Sequence, residues 1–387
     1  MDRQLLNLYD SVFVGSLGLA MSIYFIPVFA QKFDATFLDL GFIGGANSLA
    51  YAITPLMIGY LADRFNRAWL FALALVANSL ATIILTVAGS VGAVVLFRLL
   101  GGLAYGVLWA TAEVMVADLA LPAKRVGAMG LYGVASELGF VIGPLVGGFV
   151  LQNFGFTPLF LISAIIIALS LIPHVVWVLP RYRSKAAVLK NPSGSPFPIR
   201  GLVSWYVMAL CYGILFGNVV AIFPGYANSV GILPFMIGVL FTAFGISRIF
   251  VFAASETVSK LGEKSALSVA SGIVAVGALL IETFPSFFGF LIALIIIGGG
   301  FGVIFPLTIS IISRYFSQER LGVAIGSYEA VFGAGSAIGP LVGGAIAALA
   351  NVSLTFLLTS FVAGFMVILS MIGRVNPTPA EGQDLTL

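Results

Sequence analysis

The chain has 387 residues, 60% of them hydrophobic and 9% charged, with a mean hydropathy of +1.13. No soluble core absorbs that much apolar surface with so few charges. One cysteine, Cys211, and one histidine, His174, exclude a disulfide framework and the common zinc constellations, and the net charge of +3 gives no sign of a nucleic-acid partner.

Apolar runs long enough to cross a bilayer as helices recur along the whole chain. In order, spans are expected at roughly 8–30, 40–62, 68–89, 91–117, 126–152, 157–179, 201–223, 231–257, 265–284, 286–313, 321–349 and 352–373. The start, Met1-Asp2-Arg3-Gln4, carries no signal-peptide pattern, so the first run is expected to be retained. The basic residues then set orientation. Loops on the amino-terminal side hold fifteen of them, from Arg3, Arg64 and Arg67 to Arg320 and Arg374, whereas the opposite loops hold only Lys32. Both termini are therefore expected to be cytoplasmic in a multi-pass protein of the cell membrane, with membrane lipid around it. Arg98 and Arg248 fall inside spans.

The longest polar stretch, 180–200, is rich in Pro, Ser, Gly and basic residues and reads as a cytoplasmic linker. It divides the chain into six spans over 1–180, a linker at 181–200, and six spans over 201–387. An internal repeat supports the division. Gly143-Pro144-Leu145-Val146-Gly147-Gly148 recurs as Gly339-Pro340-Leu341-Val342-Gly343-Gly344, a shift of 196 residues, and Gly130, Tyr132, Gly139, Gly102 and Gly106 meet Gly326, Tyr328, Gly335, Gly298 and Gly302 at the same shift. The expected fold is all-α: twelve membrane helices in two pseudo-symmetric six-helix bundles, with a substrate cavity on the axis between them.

Gly59-Tyr60-Leu61-Ala62-Asp63-Arg64-Phe65-Asn66-Arg67 lies between the second and third spans. This stretch resembles the signature loop of the major facilitator superfamily, G-x-L-a-D-r-x-G-r-x-x-L. Gly59, Leu61, Ala62, Asp63, Arg64, Arg67 and Leu70 match, and Asn66 stands where the family usually has Gly. Asn is the next residue best able to accept a left-handed backbone, which makes the departure mild. By the resemblance, Asp63, Arg64, Arg67 and Asp118 form a conformational latch that ties the loop to the fourth span and holds the cytoplasmic side closed. Arg98-Leu99-Leu100-Gly101-Gly102 resembles a second family motif. Gly139-x-x-x-Gly143-Pro144-x-x-Gly147 resembles a third, which marks proton-coupled antiporters in the family. Small residues at that spacing let a helix from the other half pack closely, and the copy containing Gly339 and Pro340 suits the same purpose.

Charges within spans are costly unless they are wet or paired, and they mark pathways. On the fourth span Arg98, Gly102, Tyr105, Trp109 and Glu113 share one face. Glu137 on the fifth span faces away from its glycine row, and Glu329 occupies the eleventh. With Arg248 on the eighth, these form the expected substrate and proton pathway. Arg248 is an ion-pair partner for one acid or a contact for an anionic substrate. Glu137 has no basic residue within two turns on its own helix, whereas Glu113 shares a face with Arg98, so Glu137 is the first choice for proton carrier. Glu256 and Asp10 read as interfacial, as does His174, and most phenylalanines read as lipid-facing. Tyr132 and Tyr328 are placed near the cavity.

The resemblance implies a monomeric secondary transporter working by alternating access on a small-molecule substrate, without cofactor or metal. Proton-coupled export of small amphipathic or cationic compounds is the first reading. A uniporter or symporter of a polar metabolite or organic anion is the alternative. No P-loop, nucleophile elbow or metal cluster points to an enzyme. Asp63→Asn is expected to slow transport while substrate still binds. Loss of binding with an unchanged conformational equilibrium, read by site-directed labelling, would overturn the latch.

Overall fold

The computed structural model describes residues 3–121, 124–182, 199–254, 260, 262–316 and 321–375, excepting the side chains of 55–64, 125–126, 199–200, 252–253 and 321–323. Most of the expected linker lies outside the described residues. Twelve long helices carry the fold: α1 (Arg3–Ile23), α2 (Phe37–Arg64), α3 (Arg67–Ile84), α4 (Val91–Leu119), α5 (Arg125–Phe154), α6 (Phe156–Leu169), α7 (Ile199–Ala221), α8 (Pro234–Ala253), α9 (Glu263–Thr283), α10 (Phe287–Ser313), α11 (Leu321–Leu349) and α12 (Val352–Ile372). Eleven of the apolar segments they build are long enough to cross a membrane, and α2, with 28 residues, is the twelfth long helix.

Local chemistry sets the helix ends. Ser90, Ser286 and Asn351 cap α4, α10 and α12 by accepting from the backbone N–H groups of Ala93, Gly289 and Ser353. Asn66 does the same for α3, accepting from Ala68 N at 2.9 Å. Its backbone is extended, with φ −63° and ψ 121°. Asn66 therefore works as a cap and not as a left-handed stand-in for glycine, which corrects the sequence reading. The first span begins earlier than expected, at Arg3, and is broken after Ile23 before resuming as Ile26–Ala30 around Pro27. Gly155 joins α5 to α6 with φ 86°, a conformation glycine adopts freely.

Twelve alternating crossings bring both described ends to one face, here the terminal face; the opposite one is the distal face. In the first half, α1 packs on α5 and α6, α2 on α4, and α3 on α4 and α6. In the second, α7 packs on α11 and α12, α8 on α10, and α9 on α10 and α12. The halves meet through α2 with α11 and α5 with α8.

The glycine rows explain these contacts and correct one expectation. A Cβ on Gly139, Gly143 or Gly147 would collide with Ser16, Ala20 or Met21 of α1, a helix of the same half. The opposite flank of α5 meets the other half: Gly238 of α8 lies against the Pro144 carbonyl, and Gly148 lies against Pro234 and Phe235. The repeat copies the arrangement. Gly335 and Gly339 lie against Leu210 and Ile214 of α7, while Gly344 and Pro340 meet Phe37 and Gly41 of α2. Close approach of backbones is the main source of helix association where lipid is as apolar as the side chains.

Distal closure is completed by polar contacts between the halves. Gln31 donates to Gly225 O at 3.0 Å and accepts from Asn228 at 2.9 Å, while Thr242 donates to Val141 O at 2.7 Å. Tyr24 stacks on Phe241 with centroids 4.0 Å apart. The phenylalanines do not mostly face lipid, as expected from composition. Phe25, Phe71, Phe160, Phe223, Phe241, Phe290, Phe301 and Phe356 are fully buried and fill both helix bundles. His174 is not interfacial either. It is fully buried in a π-helical turn that extends α6, with Nε2 donating to Ala68 O at 2.8 Å beside Phe71.

Gly344→Val should prop α2 off α11 and open the distal side. A cysteine at Ala221, buried near Gly44 of α2, should be protected from a membrane-impermeant maleimide in the parent and labelled in the variant. Equal protection in both would refute the glycine seam.

Candidate functional site

The charged groups lie in layers along the helix axes. On the terminal face, Arg67 at the start of α3 pairs with Asp118 near the end of α4 at 2.5 Å. Arg67 is 4% exposed, so its charge depends on that carboxylate. The Tyr182 hydroxyl donates to the same Asp118 oxygen. Burial, then the carboxylate, pushes the Tyr182 hydroxyl well above its usual range, so it stays a donor. Sequence reasoning did not select Tyr182; its place between Arg181 and the basic stretch was the available signal. Gly59, Asp63 and Arg64 fall in the last turns of α2, with side chains outside the described residues.

The second half carries a matching pair. Arg314 at the end of α10 bonds Glu263 at the start of α9 through both carboxylate oxygens. A shift of 196 residues takes Arg67 to Glu263 and Asp118 to Arg314. The repeat has kept the ion pair and exchanged its signs, a relation the sequence reading passed over.

At mid-depth, two polar contacts join the halves. Arg248 Nη2 of α8 lies 2.9 Å from Glu137 Oε1 of α5. Tyr51 of α2 donates to Glu329 Oε2 of α11 at 2.7 Å. These are the same two helix pairs that the glycines bring together. The Arg248 and Glu137 side chains are 20% and 26% exposed, so neither is sealed off by the contact. Tyr24, Tyr105 and Tyr212 all lie within the electrostatic reach of this pair.

This geometry corrects the reasoning that put Glu137 first as proton carrier. The absence of a cation on its own helix is irrelevant, because Arg248 reaches it from the other half. Glu113 departs from expectation in the opposite way. Arg98 lies fifteen positions earlier on α4, about 22 Å along the axis. It lines a small pocket inside the first half with Ser22, Asn47, Asn78 and Thr82, with a buried Nε that lacks a partner. The charge that acts on Glu113 is that of Glu329. Among the described residues, Glu113 has neither an ion pair nor a hydrogen bond. Tyr132 and Tyr51 feel both of these acids.

Aromatic rings connect the layers. Tyr51 lies 5.7 Å from Tyr105, Tyr105 lies 5.6 Å from Trp109, and Trp109 lies 6.1 Å from Tyr132. The hydroxyls of Tyr132 and Tyr328 are buried without partners among the described residues. Asp10 is exposed, and Glu256 lies outside the described residues. No cluster of metal-binding side chains occurs among the described residues. Asp118→Ala should lower stability by about 3 kcal/mol, because it leaves a buried arginine unpaired. Thermal unfolding in detergent with a denaturant reference measures this, and a change within 0.5 kcal/mol, roughly the scatter of surface substitutions, would refute it.

Comparisons with known proteins agree with this architecture. The family model described as Major Facilitator Superfamily matches residues 11–205 and 205–386. Multidrug resistance protein 2 of Bacillus subtilis (strain 168) is 26% identical over 372 residues, covering 92% of this chain and 91% of that one. Among solved structures, a bacterial homologue of the human lysosomal transporter Spinster, in an inward-facing and unoccupied conformation, superposes with a TM-score of 0.78 at 14% identity, covering 97% of this chain and 98% of that one. The human organic anion transporter MFSD10 superposes with a TM-score of 0.70 at 18% identity, covering 95% and 99%. The chain belongs to the Major Facilitator Superfamily and is a multi-pass membrane transporter of small molecules.

Proposed function

We propose that the protein is a proton-coupled exporter working by alternating access, with the terminal face cytoplasmic, Glu113 and Glu329 as the proton-carrying pair, and small amphipathic compounds as substrates. The observation that carries this reading is the Glu113 carboxyl, without an ion pair or hydrogen bond among the described residues and within the field of Glu329. A proton can bind there without breaking an ion pair, whereas a proton on Glu137 would strip Arg248 of its partner. The basic residues of the terminal loops support the orientation. The distal seals then correspond to an outside-closed state. The multidrug resistance relative supports export, although at 26% identity.

Arg67, Asp118 and Tyr182 act as a latch fixing α3 against α4, and the Asp63 role is retained from the motif. Arg98 serves the first bundle, while Tyr105 and Trp109 line the route between the acids. A second reading, transport of an organic anion, is favoured by one feature, the cation of Arg248 facing the space between the halves.

Gln mimics a protonated acid. In proteoliposomes, Glu113→Gln should keep counterflow of a bound substrate near the parental rate and lose pH-gradient-driven accumulation by about tenfold or more, a difference of ~1.4 kcal/mol in driving force. Glu137→Gln should instead impair counterflow itself, because it leaves Arg248 bare. Normal accumulation by Glu113→Gln would remove the proton assignment, and normal accumulation of an anion by that variant would favour the second reading.

A further inference from the structure

We propose that the site between the halves is built for zwitterions: its ligand carries an anionic group for Arg248, a cationic group for Glu137, and an aromatic body between them. This rests on the transporter reading above and adds the charge pattern of the substrate.

The starting point is that the Glu137–Arg248 pair belongs to neither half alone. Glu137 is on α5, Arg248 is on α8, and they meet at 2.9 Å. Alternating access requires α5 and α8 to change their separation, and so this pair must loosen in the cycle. An ion pair taken apart in a low-dielectric interior leaves two charges bare, and the cost falls on whichever charge finds no new partner. A purely cationic ligand can replace Arg248 on Glu137 but leaves the guanidinium unsatisfied. A purely anionic ligand leaves the carboxylate unsatisfied. A zwitterion replaces both partners at once and changes the net charge of the site by nothing.

The surroundings fit such a ligand. Both side chains keep part of their surface open, so a ligand can reach them. The Arg248 guanidinium lies over the Phe216 ring at 5.9 Å, which leaves its edge N–H groups available to a carboxylate. Tyr105 lies in the field of the pair, the ring of Trp109 continues from it, and the half-buried Phe216 ring lies beside Arg248. These rings supply stacking for an aromatic body. Glu113 is not consumed by this arrangement, so the proton keeps a separate place.

The test uses three probes that share a phenyl ring on a short chain and differ in charge: phenethylamine (cation), 3-phenylpropionate (anion) and phenylalanine (zwitterion). Binding to the purified full-length protein is measured calorimetrically at pH 7. The expected result is that phenylalanine binds on the order of tenfold more tightly than either singly charged probe. Arg248→Gln should bring phenylalanine and phenethylamine to within about twofold of each other, the level expected once the anion contact is gone. Glu137→Gln should do the same for phenylalanine and 3-phenylpropionate. If either variant does not fold, the charge exchange Glu137→Arg with Arg248→Glu decides: it keeps an ion pair and should keep the zwitterion preference. Equal or tighter binding of phenethylamine by the parent, absence of binding by all three probes, or an unchanged preference in Arg248→Gln would each overturn the proposal. Binding is read without a gradient. Failure of proton coupling would therefore appear only in the Glu113→Gln accumulation assay, and the two readings fail separately.

Discussion

How near α5 and α11 can come to their neighbours decides most of what lies at the centre of this protein. Each of these helices packs against a partner in its own half on one flank and a partner in the other half on the next. On α5 the rows are Gly139, Gly143 and Gly147 toward α1, and Pro144 and Gly148 toward α8. On α11 they are Gly335 and Gly339 toward α7, and Pro340 and Gly344 toward α2. In a membrane there is little hydrophobic gain in pressing two helices together, so dispersion and weak Cα–H···O contacts between bare backbones do most of the holding. Glu137 and Glu329 sit on the same two helices, a short distance toward the terminal face. The Arg248 and Tyr51 contacts are therefore a consequence of distal packing, since each acid faces the helix against which its own glycines have already been pressed.

The two halves share a scaffold but not a chemistry. An ion pair is indifferent to which partner carries which sign, so the Arg67–Asp118 pair could become Glu263–Arg314 once both positions had changed. Removing one member alone would have left a buried charge, which explains why the pair survives as a unit. Glu113 and Arg98 have no such counterparts: the same shift meets Ile309 and Leu294. Structural charges near the terminal face were copied, whereas Glu113 and Arg98 of α4 belong to the first half only. The two bundles repeat the same helix pairings but carry different charges at their centres.

Much of this was legible in the sequence because it is periodic or local. Span lengths, the glycine rows and the repeat follow from regular spacing, and the Arg67–Asp118 pair follows from motifs at adjoining helix ends. What escaped depends on contacts between segments far apart in the chain. Nothing on α5 announces that Arg248 will arrive from α8, so Glu137 looked unopposed. Arg98 and Glu113 share a helical face, yet distance along the axis puts them in different environments. His174 reads as interfacial from its place near a span end, but the π-helical turn rotates it into the core beneath Ala68. Asn66 was judged by the glycine it replaces, and its side chain turned out to matter more than its backbone.

The mid-depth contacts also indicate how a proton could be felt by the substrate. Tyr51 donates to Glu329 across the halves, and an O–H bond to an ionised carboxylate is roughly twice as strong as one between neutral groups. A proton on Glu329 turns this charge-assisted bridge into a neutral one and weakens the tie between α2 and α11. The Tyr51 ring touches Tyr105, and Tyr105 stands in the field of the Glu137–Arg248 pair. A change at the Tyr51 hydroxyl is therefore one ring contact away from a tyrosine in the field of the groups proposed to hold substrate. Coupling requires an element with two arrangements that both sites bias, and a mere chain of neighbours is not enough. In the proposed cycle the Tyr51–Glu329 bridge would qualify, since it joins the two halves and a proton on Glu329 would change its strength.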